Sequence, residues 1–149
     1  MNSGRIGWQL ATIDAVPAQP PTHDPRFWSE WTDDAEFGNG WHSLREHFGI
    51  RAFGVNANTA TAGHELVAAH SESEFAAHEE LYVVLYGRAR FECDGSEVEL
   101  APGQALHVAP EVRRRAVAIE TPTLLLMVGG TPNRPYEPPD WGRGGLPSE

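Results

Sequence analysis

The densest apolar stretch of the chain is His78-Glu79-Glu80-Leu81-Tyr82-Val83-Val84-Leu85-Tyr86, broken by Gly87 and resumed in Arg88-Ala89-Arg90-Phe91. β-Branched and aromatic residues at this density, interrupted by one Gly, predict strand, kink, strand. Residues of an extended chain alternate between faces. His78, Glu80, Tyr82, Val84 and Tyr86 therefore share one face, and Leu81, Val83 and Leu85 share the other. Both faces are largely apolar, which predicts a strand buried on both sides. A Glu and a His entering that core on one face need partners, because an unpaired buried carboxylate is costly.

Shorter runs of the same kind follow one another from residue 49 onward, predicting strands over 50–57, 63–69, 79–86, 88–94, 97–100, 104–108, 113–120 and 123–128. Turn residues separate them: Thr61-Ala62-Gly63, Asp94-Gly95, Pro102-Gly103, Pro110-Glu111 and Thr121-Pro122. Asp94-Gly95 between alternating runs marks a hairpin. Regular short strands with such turns define an all-β sandwich or barrel. Before them, residues 7–16 read as a short opening strand, and the Pro-rich 17–25 forbids regular structure. Residues 26–48 set Phe27, Trp28, Trp31, Phe37, Trp41 and Phe48 among Gly, Asp and Asn. They predict an irregular aromatic arm, with a helical turn near Trp41–His47, lying over a sheet or a partner subunit. From Gly129 the chain is Gly- and Pro-rich, an extended tail anchored by Tyr136 and Trp141 and disordered after residue 143. The domain boundaries are then 1–48 for the arm, 49–128 for the barrel and 129–149 for the tail.

Composition narrows the partners. A net charge of −10 argues against nucleic acid or an anionic membrane surface. All 11 basic residues are Arg, which favours fixed forks for carboxylate or phosphate over mobile ammoniums. No apolar run reaches spanning length and Met1–Val16 lacks a signal-peptide pattern. A single Cys, Cys93, excludes an internal disulfide framework and reads as a packed thiol. These features together predict a cytoplasmic protein. No phosphate-cradling Gly loop or nucleophile elbow is present.

Glu80, six residues and Gly87, followed by Asp94-Gly95, Pro102-Gly103 and a strand ending at Pro110, resemble the cupin superfamily over residues 50–128. The resemblance implies a double-stranded β-helix, a jelly-roll-like barrel of the small single-domain type, commonly a homodimer. It says little about chemistry, since one fold hosts many functions. Metal-holding cupins carry His-x-His shortly before the Glu and a further His on a later strand. Glu80 occupies the carboxylate position. Counted back without a gap, the two His positions fall on Glu74 and Ala76. If the loop 71–77 is longer, His70-Ser71-Glu72 supplies a degenerate His-x-Glu instead. The later His position falls on Arg114, whose guanidinium cannot ligate a cation. The standard four-ligand set is broken.

Two readings of the site follow. In the first, the barrel binds a small molecule without the standard metal. Glu80, Arg114 and Tyr82 are then the reactive groups, and Tyr86, His107 and Arg114 the ligand contacts. Arg114 either forms an ion pair with Glu80 or grips an anionic ligand while Glu80 acts as base. In the second, His70, Glu72, His78 and Glu80 hold one divalent transition metal (Zn, Fe, Ni or Mn) in an isomerase, cyclase or oxygenase acting on a small organic substrate. His64 is a weaker ligand candidate. His42 and His47 read as surface residues, and Arg113–Arg115 otherwise as solvated charges on an edge strand.

Overall fold

The computed structural model describes residues 7–18, 32–74 and 76–138. Among the described residues, nine strands alternate with turns: β1 (Trp41–His42), β2 (Gly54–Ala60), β3 (Glu65–His70), β4 (Glu79–Tyr86), β5 (Ala89–Cys93), β6 (Ser96–Leu100), β7 (Ala105–Val108), β8 (Arg114–Ala118) and β9 (Thr123–Gly130). They form two antiparallel sheets, ordered β1-β2-β9-β4-β7 and β3-β8-β5-β6. This is the architecture of a double-stranded β-helix. The inner faces of both sheets meet in one core, where Tyr82, Val84, Leu125 and Met127 pack against Leu66, Phe91, Ala116 and Ala118. Among the described residues, no helix is long and apolar enough to cross a membrane.

Turn chemistry sets the hairpins. Asp94 and Gly95 both take positive φ, 48° and 86°, and close β5 on β6 with Cys93 opposite Ser96. Gly87 has φ 79°, and a Cβ there would stand 2.3 Å from the Thr123 hydroxyl oxygen and 2.5 Å from the Thr123 Cα, so only Gly fits the kink between β4 and β5.

Several expectations are corrected. Residues 7–16 hold no strand. Ile13–Ala15 form a 3-10 turn instead, because Val16 and its neighbours serve as a cover, packing with Leu44, Val55, Ala57 and Leu124 on the outer face of the five-stranded sheet. The helical turn falls at Leu44–Phe48 (α1), ended by Gly49 at φ 71°, while Trp41–His42 pair with β2. His42 is no surface residue: it is buried, with Nδ1 2.7 Å from the Val16 carbonyl and Nε2 2.8 Å from the Thr59 hydroxyl. His47 is exposed. Strand β4 is buried on one side only. Leu81 and Leu85 are 40% and 38% exposed, because α1 and the N-terminal segment cover β2 and β9 and reach β4 only at Tyr86. Strand β8 lies between β3 and β5, so the Arg run is not on an edge. Of the aromatic arm, Phe27, Trp28 and Trp31 lie outside the described residues, as do Trp141 and the tail after 143.

Candidate functional site

One end of the barrel collects polar side chains from four places. His70 ends β3, Glu80 and Tyr82 open β4, Arg114 opens β8, and Glu72 comes from the loop between β3 and β4. That loop has the longer of the two alignments. Residues Glu72–Glu74 form a 3-10 turn docked on the Pro110 carbonyl, which accepts the N–H groups of Glu72 (2.8 Å) and Ser73 (3.2 Å). His70 and Arg114 are register partners across β3 and β8, which brings both to the same end. Glu80 faces inward opposite Gly129, and there is room for it because a Cβ at Gly129 would lie 3.2 Å from the Glu80 Cγ.

His70 donates Nδ1–H to the Ala68 carbonyl at 2.7 Å, a group that can only accept. Its Nε2 stands 2.6 Å from Glu72 Oε2, so that contact needs a second proton on the ring or a proton on the carboxyl. Burial works against the imidazolium, but the Glu72 carboxylate outweighs it and holds the His70 pKa above its usual value. Glu80 Oε1 lies 4.0 Å from the same Nε2 and accepts a short hydrogen bond from Tyr82 Oη. Burial, with the neighbouring Glu72 charge, pushes the Glu80 carboxyl up to about 7. The Tyr82 hydroxyl is raised well above its usual range, by burial first and then by the Glu80 charge.

Arg114 is wholly buried, at 0% exposure. Its Nη2 donates to the Ala109 carbonyl (2.8 Å) and, at 3.5 Å, toward Val108. Nη1 lies 3.9 Å from both Glu72 Oε2 and Glu80 Oε1, and neither Nε nor Nη1 has a hydrogen-bond partner among the described residues. At 3.9 Å the ion pair with Glu80 is nominal: desolvation and Glu72 outweigh Arg114, so Glu80 is not held firmly ionised as an intimate pair would be. Its two neighbours differ in setting. Arg115 pairs with the buried Glu65, and Arg113 is exposed, with its backbone N–H bonding the Asp94 carboxylate at 2.9 Å.

Of the remaining expected residues, His78 borders this cluster at Glu72 and the others lie apart from it. Tyr86 turns outward, because Leu85 is an extra residue between the β9 pairings of Val84 and Tyr86. Its hydroxyl meets Asp14 at 3.1 Å. His107 is on the outer face, with Nε2 2.9 Å from the Glu79 carboxylate; it pairs with Leu81, which fixes its direction. His78 precedes the β4 ladder. Its Nε2–H donates to the Glu137 carbonyl at 3.0 Å, its ring stacks on Tyr136 at 5.0 Å, and its Nδ1 stays 3.7 Å from Glu72 Oε1. His64 pairs with Asp34 at 2.9 Å, away from the mouth. Cys93 is half-buried against the core, with its thiol pushed up by burial.

Residues with no chemical signal of their own complete the site. The carbonyls of Pro110, Ala109 and Val108, and the bare Cα of Gly129, position the charged groups, and backbone groups leave no trace in residue type. Pro110, a turn residue before β8, and Gly129, read as the start of the tail but lying in β9, were visible only as punctuation.

Three donors fit a divalent cation: His70, Glu72 and Glu80 offer ligand atoms all within 4.8 Å of one another. Arg114 stands at the fourth corner, adding a fixed positive charge and no ligand. Without a cation, the same groups form an acid–base cluster open to solvent at Glu80 and His70, whose side chains keep 17% and 15% exposure.

No protein-family model and no curated protein sequence matches the chain. Among solved structures it is similar to a cupin protein from Bacteroides fragilis, at 24% identity and a TM-score of 0.53, covering 71% of this chain and 86% of that one. It is also similar to a sugar phosphate isomerase from a cupin superfamily of Silicibacter pomeroyi, at 23% identity and a TM-score of 0.51, covering 60% of this chain and 57% of that one. The fold is that of a cupin.

Proposed function

We propose that this cupin-fold chain binds a small organic molecule at the mouth of its barrel, in contact with Arg114, Glu80 and Tyr82. The observation that carries the reading is the buried Arg114, whose Nη1 and Nε lack partners while two carboxylates stand 3.9 Å away. A buried guanidinium N–H left unpaired is expensive, so a bound group that accepts from it gains more than it would at the surface. Glu80, which exchanges its proton near neutrality, and the Tyr82 hydroxyl give such a ligand an acid–base partner.

A second reading is favoured by the convergence of His70, Glu72 and Glu80. In it these three hold a divalent transition metal, which would supply Lewis-acid chemistry to a small substrate, and Arg114 serves the substrate rather than the ion.

A thermal scan separates the two. Chelated protein is melted alone, with Zn, Fe(II), Ni or Mn, and with a library of small metabolite-sized compounds. The first reading expects compounds to raise the melting temperature through Arg114, with the shift lost in Arg114→Met, while cations raise it little. A large cation shift that disappears in His70→Ala and Glu80→Ala but survives in Arg114→Met overturns it in favour of the metal.

A further inference from the structure

His70 Nε2, Glu72 Oε2, Glu80 Oε1 and Arg114 Nη1 form a closed ring with edges of 2.6, 3.9, 3.9 and 4.0 Å. Three of those edges are too long for a hydrogen bond, yet one interposed oxygen spans such a gap with about 2.8 Å on either side. The polarity of the ring dictates what that oxygen belongs to. Arg114 Nη1 can only donate, and a carboxyl oxygen that carries no proton can only accept. Glu80 Oε1 also accepts from Tyr82, so this atom presents lone pairs to the gap.

A carboxylate, phosphate or ketone oxygen would satisfy Arg114 but set its own lone pairs against Glu72 and Glu80. An ammonium would satisfy the carboxylates and leave Arg114 unpaired beside a like charge. A hydroxyl does both, having one O–H donor and two acceptor lone pairs, as does a bridging water whose place a ligand hydroxyl would take.

Resting on the small-molecule reading above, we infer that the ring takes an alcohol hydroxyl of a neutral, hydroxyl-bearing molecule, its oxygen accepting from Arg114 and its proton pointing to Glu72 or Glu80. The molecule enters past Glu80 and His70, the two members of the ring that solvent reaches. Selectivity for hydroxyls over acceptor-only anions is then built into the donor–acceptor polarity of the ring, not into the shape of the entrance.

The test is a titration of the full-length 15N-labelled protein, following the Arg114 Nε–H resonance by NMR. The probes are glycerol, myo-inositol and D-xylose as neutral polyols, acetate and inorganic phosphate as acceptor-only anions, methylammonium as a donor-only cation, and zinc. The polyols are expected to shift the Arg114 resonance and the anions not. Arg114→Met should weaken polyol binding about tenfold or more, the worth of one hydrogen bond to a charged group. Arg90→Gln, on the exposed side of β5, serves as the surface control. If Arg114→Met does not fold, the wild-type probe series decides alone. Acetate or phosphate binding at Arg114 more tightly than the polyols overturns the hydroxyl inference but leaves a small-molecule site standing. Zinc binding with no organic probe bound overturns both and leaves the metal reading. No probe bound at the ring overturns the inference as well.

Discussion

Glu80→Gln is expected to make the protein more stable, and only at high pH. Gln keeps the shape and retains an Oε1 that can accept from Tyr82 Oη, while removing the buried charge. A carboxyl moved from its usual 4.5 to about 7 costs about 3 kcal/mol more to ionise in the folded chain than in the unfolded one, at about 1.4 kcal/mol per pH unit. The sign follows from proton counts. Between 4.5 and about 7 the folded protein retains a proton that the unfolded chain has released, so stability falls as pH rises through that window and levels off above it. His70, whose pKa is also raised, acts in the same direction: its stabilisation is present below its usual 6.5 and is lost as pH rises through the raised value. It titrates in both proteins and largely cancels in their difference. Glu80→Gln should therefore match wild type within about 1 kcal/mol near pH 5 and exceed it by about 1–3 kcal/mol near pH 8, the lower figure allowing for the carboxylate that His70 and Arg114 lose. Urea denaturation followed by tryptophan fluorescence at several pH values measures this directly. A variant less stable than wild type near pH 8, or a difference that does not change with pH, would refute the reasoning. It would show Glu80 held ionised by Arg114 across the 3.9 Å gap.

Three other substitutions test the frame around the site. Val84→Asp puts an unpaired charge at a position of zero exposure between the sheets and should abolish soluble expression; a soluble variant with unchanged melting would contradict the packing. Gly87→Ala forces a Cβ within 2.5 Å of the Thr123 Cα at positive φ, and should cost about 2 kcal/mol or more in chemical denaturation, beyond the about 1 kcal/mol of an unfavourable backbone angle. Tyr136→Ala removes the ring stacked on His78 and should lower the melting temperature by a few degrees, for a loss of about 1 kcal/mol; unchanged melting would mean that the segment after β9 does not hold the loop before β4.

The strand pattern was legible because it is written locally. The run Glu79–Tyr86 matches its strand end to end, and the other strands predicted from residue 49 onward fall within a few residues of their observed bounds, whereas the strand expected over 7–16 is absent. Period-2 alternation and turn residues such as Asp94-Gly95 act over neighbouring positions, so one sequence carries them. The pairing of Glu80 with Gly87 and the later turns carried the fold for the same reason. Glu80 and Tyr82 were identifiable as polar groups sharing one face of an otherwise apolar strand, and Arg114 only through the position the cupin resemblance gave it.

Tertiary structure decided which of these groups meet. Alternation cannot say which face of an apolar strand is inside, and β4 has Tyr82 and Val84 on one face and Leu81 and Val83 on the other. Pairing with β9 settled it, and one extra residue at Leu85 then turned Tyr86 out of the face it was expected to share. His107 was sent outside by its pairing with Leu81. The length of the loop before β4 was fixed by the distant Pro110 carbonyl, which brought Glu72 beside His70, while the Glu137 carbonyl captured His78. Arg114 faces inward because β8 is an interior strand whose register opposes it to His70 and Cys93. Each of these outcomes rests on a backbone group or a strand register far away in the chain, and backbone carbonyls are the same at every residue. Residue type therefore could not announce them.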